Sequence, residues 1–280
     1  MKKLITGILL VVMMLSLAAC GGDTADDDSS NTGAVYHVGV CQLVEHDALD
    51  AATEGFVDAL EEKLGDAVEI EVQLAQGEPN NCTTIINNFV AGNVDLIMAN
   101  ATPALQAAVS GTDTIPILGT SVTEYGVALG IDNFNGTVGG NVSGTSDLAP
   151  LDGQAAMIQE LFPEAKKVGL LYCSAEANSQ YQIDVVTEEL TKLGYECTPY
   201  SFSDSNDLAT VATSAAENSD VIYVPTDNKC ADNTGIIDNV CRPAKVPVVA
   251  GEEGIASGCG VATLSISYYD IGYQTGVMAA

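Results

Sequence analysis

The sequence has no tryptophan, only two histidines, and nine lysines and arginines set against thirty-eight acids. Each shortage excludes something. A net charge of −29 leaves no basic stripe for a phosphate backbone, which argues against a nucleic-acid partner. With only His37 and His46 and no Cys-x-x-Cys pair, neither a zinc site nor a dithiol redox site is expected. There is no Gly-x-Ser-x-Gly elbow, no Gly-x-x-x-x-Gly-Lys loop and no Gly-x-Gly-x-x-Gly after a strand. No catalytic group and no cofactor is predicted. Past residue 20 no apolar run is long enough to span a bilayer.

What is present begins with Lys2-Lys3, an apolar run over residues 4–17, and Ala18-Ala19-Cys20. This pattern predicts a signal peptide over residues 1–19, too short for a spanning helix. Leu17-Ala18-Ala19-Cys20 resembles the bacterial lipoprotein box, which implies cleavage before Cys20 and its acylation. Residues 20–34, rich in Gly, Asp, Ser and Thr, have little to bury and read as a flexible tether. The expected location is the outer face of the cell membrane, with a lipid as anchor.

The body of the chain is organised by an echo. Residues 93–103, Asn-Val-Asp-Leu-Ile-Met-Ala-Asn-Ala-Thr-Pro, read as a buried parallel strand running into a helix, with Thr102 as N-cap and Pro103 opening the helix. Ser219-Asp220-Val221-Ile222-Tyr223-Val224-Pro225-Thr226 repeats the pattern. Val38-Gly39-Val40 recurs as Val168-Gly169-Leu170, Lys63-Leu64-Gly65 as Lys192-Leu193-Gly194, and Ile115-Pro116-Ile117 as Val246-Pro247-Val248, each roughly 130 residues later. Four matches in one order predict two Rossmann-like α/β lobes. Residues 35–132 with 263–280 are assigned to lobe 1 and 151–262 to lobe 2. The Gly- and Asn-rich stretch 133–150 is assigned to the crossover and hinge.

In open parallel sheets, ligands bind outside the carboxyl ends of the strands. Two facing sheets bring six such loops to one interlobe cleft. From lobe 1 come residues 42–46 with Gln42 and Glu45, Thr102, and residues 120–124 with Ser121 and Thr123. Of these, Thr102, Ser121 and Thr123 offer hydroxyls and helix N-termini to a carboxylate, while residues 42–46 are assigned to side-chain selectivity. From lobe 2 come Glu176, Asp227, Glu252 and Glu253, whose carboxylates suit an ammonium group, with Ser179 and Asn228 on the same loops. The split fits a small zwitterion such as an amino acid. With Cys20 set aside seven cysteines remain; the spacing favours a Cys230–Cys241 bond first and Cys173–Cys197 second.

Several ordered blocks resemble one family, the tryptophan-binding-protein-like substrate-binding proteins of ABC transporters. They are Cys41-Gln-Leu-Val-Glu-His46 with Ala48-Leu-Asp-Ala-Ala-Thr-Glu-Gly-Phe56, Ala99-Asn-Ala-Thr-Pro103, Asn141-Val-Ser-Gly-Thr-Ser-Asp147, Glu176-Ala-Asn-Ser179, Thr226-Asp-Asn228, Ala250-Gly-Glu-Glu-Gly254 and Gly272-Tyr-Gln-Thr-Gly-Val-Met-Ala279. The resemblance implies a type 1 periplasmic-binding-protein fold. It also implies a small-molecule ligand, an aromatic amino acid first, delivered to ABC permease and ATPase subunits. A sensor feeding a chemotaxis or kinase receptor is the alternative role. Asp47 departs from the proline that the family pattern would place there.

Overall fold

The computed structural model describes residues 35–280; the expected signal peptide and Cys20 lie outside the described residues. Lobe 1 is built from β1 (Tyr36–Gln42), α1 (Asp47–Leu64), β2 (Val68–Leu74), α2 (Pro79–Gly92), β3 (Leu96–Asn100), α3 (Thr102–Gly111), β4 (Ile117–Val122), α4 (Tyr125–Leu129) and β5 (Val142–Ser146). Lobe 2 follows with α5 (Leu151–Leu161), β6 (Lys167–Cys173), α6 (Ala177–Lys192), β7 (Glu196–Phe202), α7 (Ser205–Asn218), β8 (Val221–Val224), α8 (Asn228–Ala231), α9 (Thr234–Ala244), β9 (Val248–Ala250), α10 (Glu253–Cys259) and β10 (Ala262–Thr263). The last helix, α11 (Tyr268–Ala279), returns to lobe 1.

Both sheets are parallel throughout, in the orders β2-β1-β3-β4-β5 and β10-β9-β8-β6-β7. Read from the first strand of each lobe the two orders are the same, so the sequence echo is a duplicated topology. The repeated aspartates explain part of that echo. Asp95 accepts the His37 amide at 2.8 Å, and Asp220 accepts the Lys166 and Lys167 amides at 2.8 and 2.9 Å. Each carboxylate, at the start of its lobe's central strand, thereby ties down the amino end of the neighbouring first strand of that lobe.

Strands covered on both faces need apolar residues at consecutive positions. In β1, Val38 and Val40 pack with Phe56 and Leu60 of α1, while Cys41 faces the cluster beneath α2 and α3. In lobe 2, Leu170 and Tyr223 face α5 and α6, while Leu171 and Ile222 face α7 and α9. Burying a side chain such as Phe56 contributes about 1.5–3 kcal/mol.

Several expectations change. The stretch 133–150 is not crossover alone, because Val142–Ser146 pairs with β4 as the fifth strand; only residues 147–150 pass between the sheets. Ala262–Thr263 pairs with β9, so the return to lobe 1 starts after Thr263. Ala101, not Thr102, is the N-cap of α3. All seven cysteines among the described residues are free thiols. Cys173 stands opposite Phe202 in the β6–β7 ladder, whereas Cys197 stands opposite Val168. At about 3.3 Å per residue that offset puts the two sulfurs far beyond bonding reach. Cys230 and Cys241 sit as separate buried thiols on α8 and α9.

α11 holds to lobe 1 through closely approaching backbones. A Cβ on Gly272 would lie 1.9 Å from the Ala52 carbonyl oxygen, and one on Gly276 would lie 2.6 Å from that of Phe56. Glycine at both positions lets α11 lie directly on α1.

Candidate functional site

The carboxyl ends of the two sheets face each other, and the site lies between them. Lobe 1 presents two residues with left-handed backbone, Ala101 (φ 92°) and Ser121 (φ 54°), after the adjacent strands β3 and in β4. The Ala101 amide donates to the Thr120 carbonyl at 3.0 Å, which ties the two together. Non-glycine residues in such conformations cost about 1–3 kcal/mol each and collect at binding sites.

Lobe 2 supplies the ends of β6 and β8. Asp227 accepts the Cys173 amide at 2.7 Å and the Cys230 amide at 2.8 Å, capping α8 and joining it to β6. Glu176 accepts the Asn228 and Lys229 amides at 3.2 and 3.0 Å and the Asn228 side-chain amide at 2.6 Å. Glu252 caps α10 by accepting the Gly254 and Ile255 amides.

The two interlobe passages complete the walls. Asp147 lies on the first, Tyr268 just after the second, and the Tyr268 hydroxyl donates to Asp147 Oδ2 at 2.9 Å. Two further contacts cross the cleft from α8. His46 Nε2 and Asn228 Oδ1 are 3.2 Å apart. Lys229 Nζ donates to the Gly77 carbonyl at 2.8 Å and stands 3.7 Å from Glu78.

A small cavity remains inside, with about 20 Å³ of room for water-sized groups. His46, Ser121, Asp147, Asn178, Thr226, Asp227, Glu252 and Tyr268 are among its lining residues. Five buried polar atoms on these residues have no hydrogen-bond partner: His46 Nδ1, Ser121 Oγ, Asp147 Oδ1, Asn178 Oδ1 and Thr226 Oγ1. Buried polar atoms are nearly always paired, and an unpaired one costs about 1–3 kcal/mol. Five around one space mark a surface completed by something polar.

The cavity is acidic. Asp147, Glu176, Asp227 and Glu252 are all buried, and neither Lys nor Arg lines the cavity. Burial raises the carboxyls of Asp147 and Glu252 above the ordinary range. Burial, with the Asp227 charge added, lifts Glu176 to about 7. Desolvation pushes the His46 imidazole down, towards its neutral form. Such a space favours a ligand that brings its own positive group.

The residues expected from sequence divide accordingly. Ser121, Asp227 and Asn228 line the inner cavity, and Glu176 lines the wider space outside it. Thr123 is buried, and its carbonyl accepts from the Ser146 hydroxyl at 2.9 Å, just before Asp147. Gln42 is buried but occupied within lobe 1, donating to the Val44 carbonyl and Asp50 and accepting from Thr53. Thr102 and Ser179 are buried behind the cavity wall, while Glu45 and Glu253 are exposed. Asp147, Asn178, Thr226 and Tyr268 were not singled out as ligands, whereas Glu252 was named beside Glu253 as an acid for an ammonium group. Asp147 read only as part of the crossover and Tyr268 only as a helix start, because they meet where the two chain passages between the lobes come together. Glu252, next to the predicted Glu253, faces inward because it is the N-cap.

Comparison with known proteins gives consistent results. The family described as ABC transporter substrate binding protein matches residues 37–280. A tyrosine-binding protein of Clostridioides difficile (strain R20291) is 36% identical over all of this chain and 82% of its own length. The crystal structure of an ABC domain in complex with L-Trp from Streptococcus pneumonia superposes with a TM-score of 0.84 at 30% identity, covering 88% of this chain and 84% of that one. The ligand-free, open structure of a substrate-binding protein with adhesive properties from Clostridium difficile is 37% identical. It covers 88% of this chain and 84% of that one, yet its TM-score is 0.63. Greater identity with poorer superposition points to lobe arrangement as the difference. The present lobes lie nearer to those of the liganded structure.

Proposed function

The chain belongs to the family of ABC transporter substrate-binding proteins, and from that membership we propose that it captures an aromatic amino acid between its lobes and delivers it to a membrane permease. The observation that carries this reading is the convergence of five unpartnered polar atoms on one acidic interlobe cavity. In the proposed complex Asp147 Oδ1 and Asn178 Oδ1 accept from the ammonium group. The Ser121 and Thr226 hydroxyls donate to the carboxylate, while His46, which gives its Nε2–H to Asn228 Oδ1, leaves Nδ1 as one more acceptor for the ammonium group. Asp227 adds negative charge close by, while the Tyr268 hydroxyl holds Asp147 in position. Glu176 orders Asn228 and Lys229 across the cleft.

The ligand stabilises the closed arrangement because only there do both lobes reach it. The relatives named for tyrosine binding and solved with L-Trp support an amino acid as cargo. For attachment, Leu17-Ala18-Ala19-Cys20 and the polar stretch after it support a lipid anchor on the outer membrane face. A thermal-shift screen of the twenty amino acids tests the cargo, since a ligand that binds only the folded protein raises the melting temperature. L-tyrosine, L-phenylalanine or L-tryptophan is expected to raise it, and Ser121→Ala to reduce the shift. If no amino acid moves the transition, the reading fails.

A further inference from the structure

Away from the cleft, lobe 1 buries two thiols against each other. Cys41 is the second-last residue of β1 and Cys82 lies in the first turn of α2. Neither has exposed surface, and both belong to one apolar cluster. Their placement follows from Phe89, whose ring lies over Gly39, where an added Cβ would stand 2.7 Å from it. Cys82 precedes Phe89 by about two helical turns, so it shares a helix face with the ring and lies about 10 Å nearer the amino end of α2. Cys41 shares a strand face with Gly39 and lies about 7 Å nearer the carboxyl end of β1. β1, β2 and β3 are parallel, so α2 must run back against them to lead from the end of β2 to the start of β3. The two displacements therefore point the same way and bring Cys82 over Cys41. Each thiol acts on the other: Cys82, with burial, raises the Cys41 thiol, and Cys41 lowers that of Cys82.

We propose that Cys41 and Cys82 form an oxidisable pair, which a low-molecular-weight disulfide converts into an intramolecular bond joining the carboxyl end of β1 to the first turn of α2. The proposal is independent of the cargo. The bond closes residues 41–82 into a loop carrying Gly77 and Glu78, which Lys229 meets across the cleft. Elsewhere thiols turn to the backbone: Cys259 donates to the Ile255 carbonyl at 3.3 Å and Cys173 to the Ser203 carbonyl at 3.9 Å. In the exchange, the Cys82 thiolate attacks one sulfur of the reagent and expels a thiolate. The Cys41 thiol then loses its proton, and its sulfur attacks that of Cys82 in the mixed disulfide, expelling the second thiolate. Two protein thiols give up two electrons, and one disulfide is reduced to two thiols. Cys82 leads because its neighbour favours the thiolate. Residues 78–81, above Cys82, are exposed, and helix ends open at low free energy, which gives the reagent its access.

The test exposes the intact protein to oxidised glutathione, then unfolds it in iodoacetamide and maps the thiols by mass spectrometry. The peptides holding Cys41 and Cys82 are expected to be linked to each other, two hydrogens lighter than the reduced pair. The linked protein is expected to melt several degrees above the reduced one, since closing a loop of this length restricts the unfolded chain. Dithiothreitol should reverse both changes. Cys82→Ser should remove the link and leave Cys41 open to alkylation. The parent protein carries the main readout, so a variant that fails to fold does not spoil the test. Alkylation of both thiols after oxidation, glutathione retained on either, or linkage of either to another cysteine overturns the proposal. So does a linked product that melts no higher than the reduced protein, because the fold then does not accommodate the bond.

Discussion

The Tyr268 hydroxyl donates to Asp147 Oδ2 across 2.9 Å, so the two chain passages between the lobes are joined at the floor of the cleft. The other oxygen of the same carboxylate has no partner and lines the inner cavity. One side chain thus touches both a passage between the lobes and the inner cavity. In the proposed complex, contact with an ammonium group would be felt directly at both passages.

Asp147→Asn keeps the shape of this group and removes its charge. Hydrogen bonds to charged groups contribute about 1.5–3 kcal/mol, so the affinity for the cargo is expected to fall about ten- to a hundredfold. Tyr268→Phe leaves the carboxylate charged but short of a donor, and is expected to lower the melting temperature as well as the affinity. Titration calorimetry and thermal unfolding read the two effects. Unchanged affinity in Asp147→Asn would remove Asp147 from the site.

Acid is expected to stabilise the empty protein and weaken its grip. Glu176 has a folded pKa raised to about 7, above the ordinary glutamate value of about 4.3. Between those values the folded state holds the proton more firmly, so unliganded stability falls as the pH rises through the window. A bound ammonium group favours the ionised carboxyls instead, so binding should release protons and tighten from pH 5 to 7.5. Calorimetry in buffers of different ionisation enthalpy counts the protons released. Glu176→Gln should flatten both profiles, and a profile unaltered by that change would locate the titration elsewhere.

Lys229 is expected to act as a latch for the closed state. Its Nζ reaches the Gly77 carbonyl on the opposite lobe, and its pairing with Glu78 is partly exposed and worth little. Lys229→Met should cost about 0.5–1.5 kcal/mol of closure, lowering affinity about two- to tenfold with little change in melting temperature. Small-angle scattering of the unliganded variant should report a larger radius of gyration than the parent. Identical scattering and affinity would dismiss the latch.

Gly272→Ala places a methyl against the Ala52 carbonyl of α1. Overpacking of this kind costs about 1–3 kcal/mol, and at about 2–4 °C per kcal/mol for a chain of this size the transition should drop by several degrees. Thermal unfolding without ligand is the measurement. A parent-like transition would mean that α11 shifts freely on α1.

Much of the fold was legible because parallel strands write continuous apolar runs and the lobes repeat them. Val38-Gly39-Val40 and Val168-Gly169-Leu170 occupy equivalent interior strands, and Asp95 and Asp220 recur because each ties down the amino end of one. β5 escaped notice since Val-Ser-Gly-Thr-Ser is half polar and sits at a sheet edge. The cleft loops were legible as well, but not the direction of their side chains. Glu252 and Glu253 differ by one position, and only the capping geometry decides that Glu252 turns inward. Glu176 and Asp227 read as free acids, whereas backbone amides occupy both.

The sequence by itself determined a duplicated α/β architecture, an acidic cleft without metal or nucleotide motifs, and the loops that line it. These are local properties, set by hydrophobic period, turn chemistry and charge. Only the tertiary structure decided which polar atoms are left without partners, because pairing depends on what the other lobe and the two passages bring within hydrogen-bond reach. Asp147 lies far in sequence from Tyr268 and from Thr226, and no local pattern places those groups around one cavity.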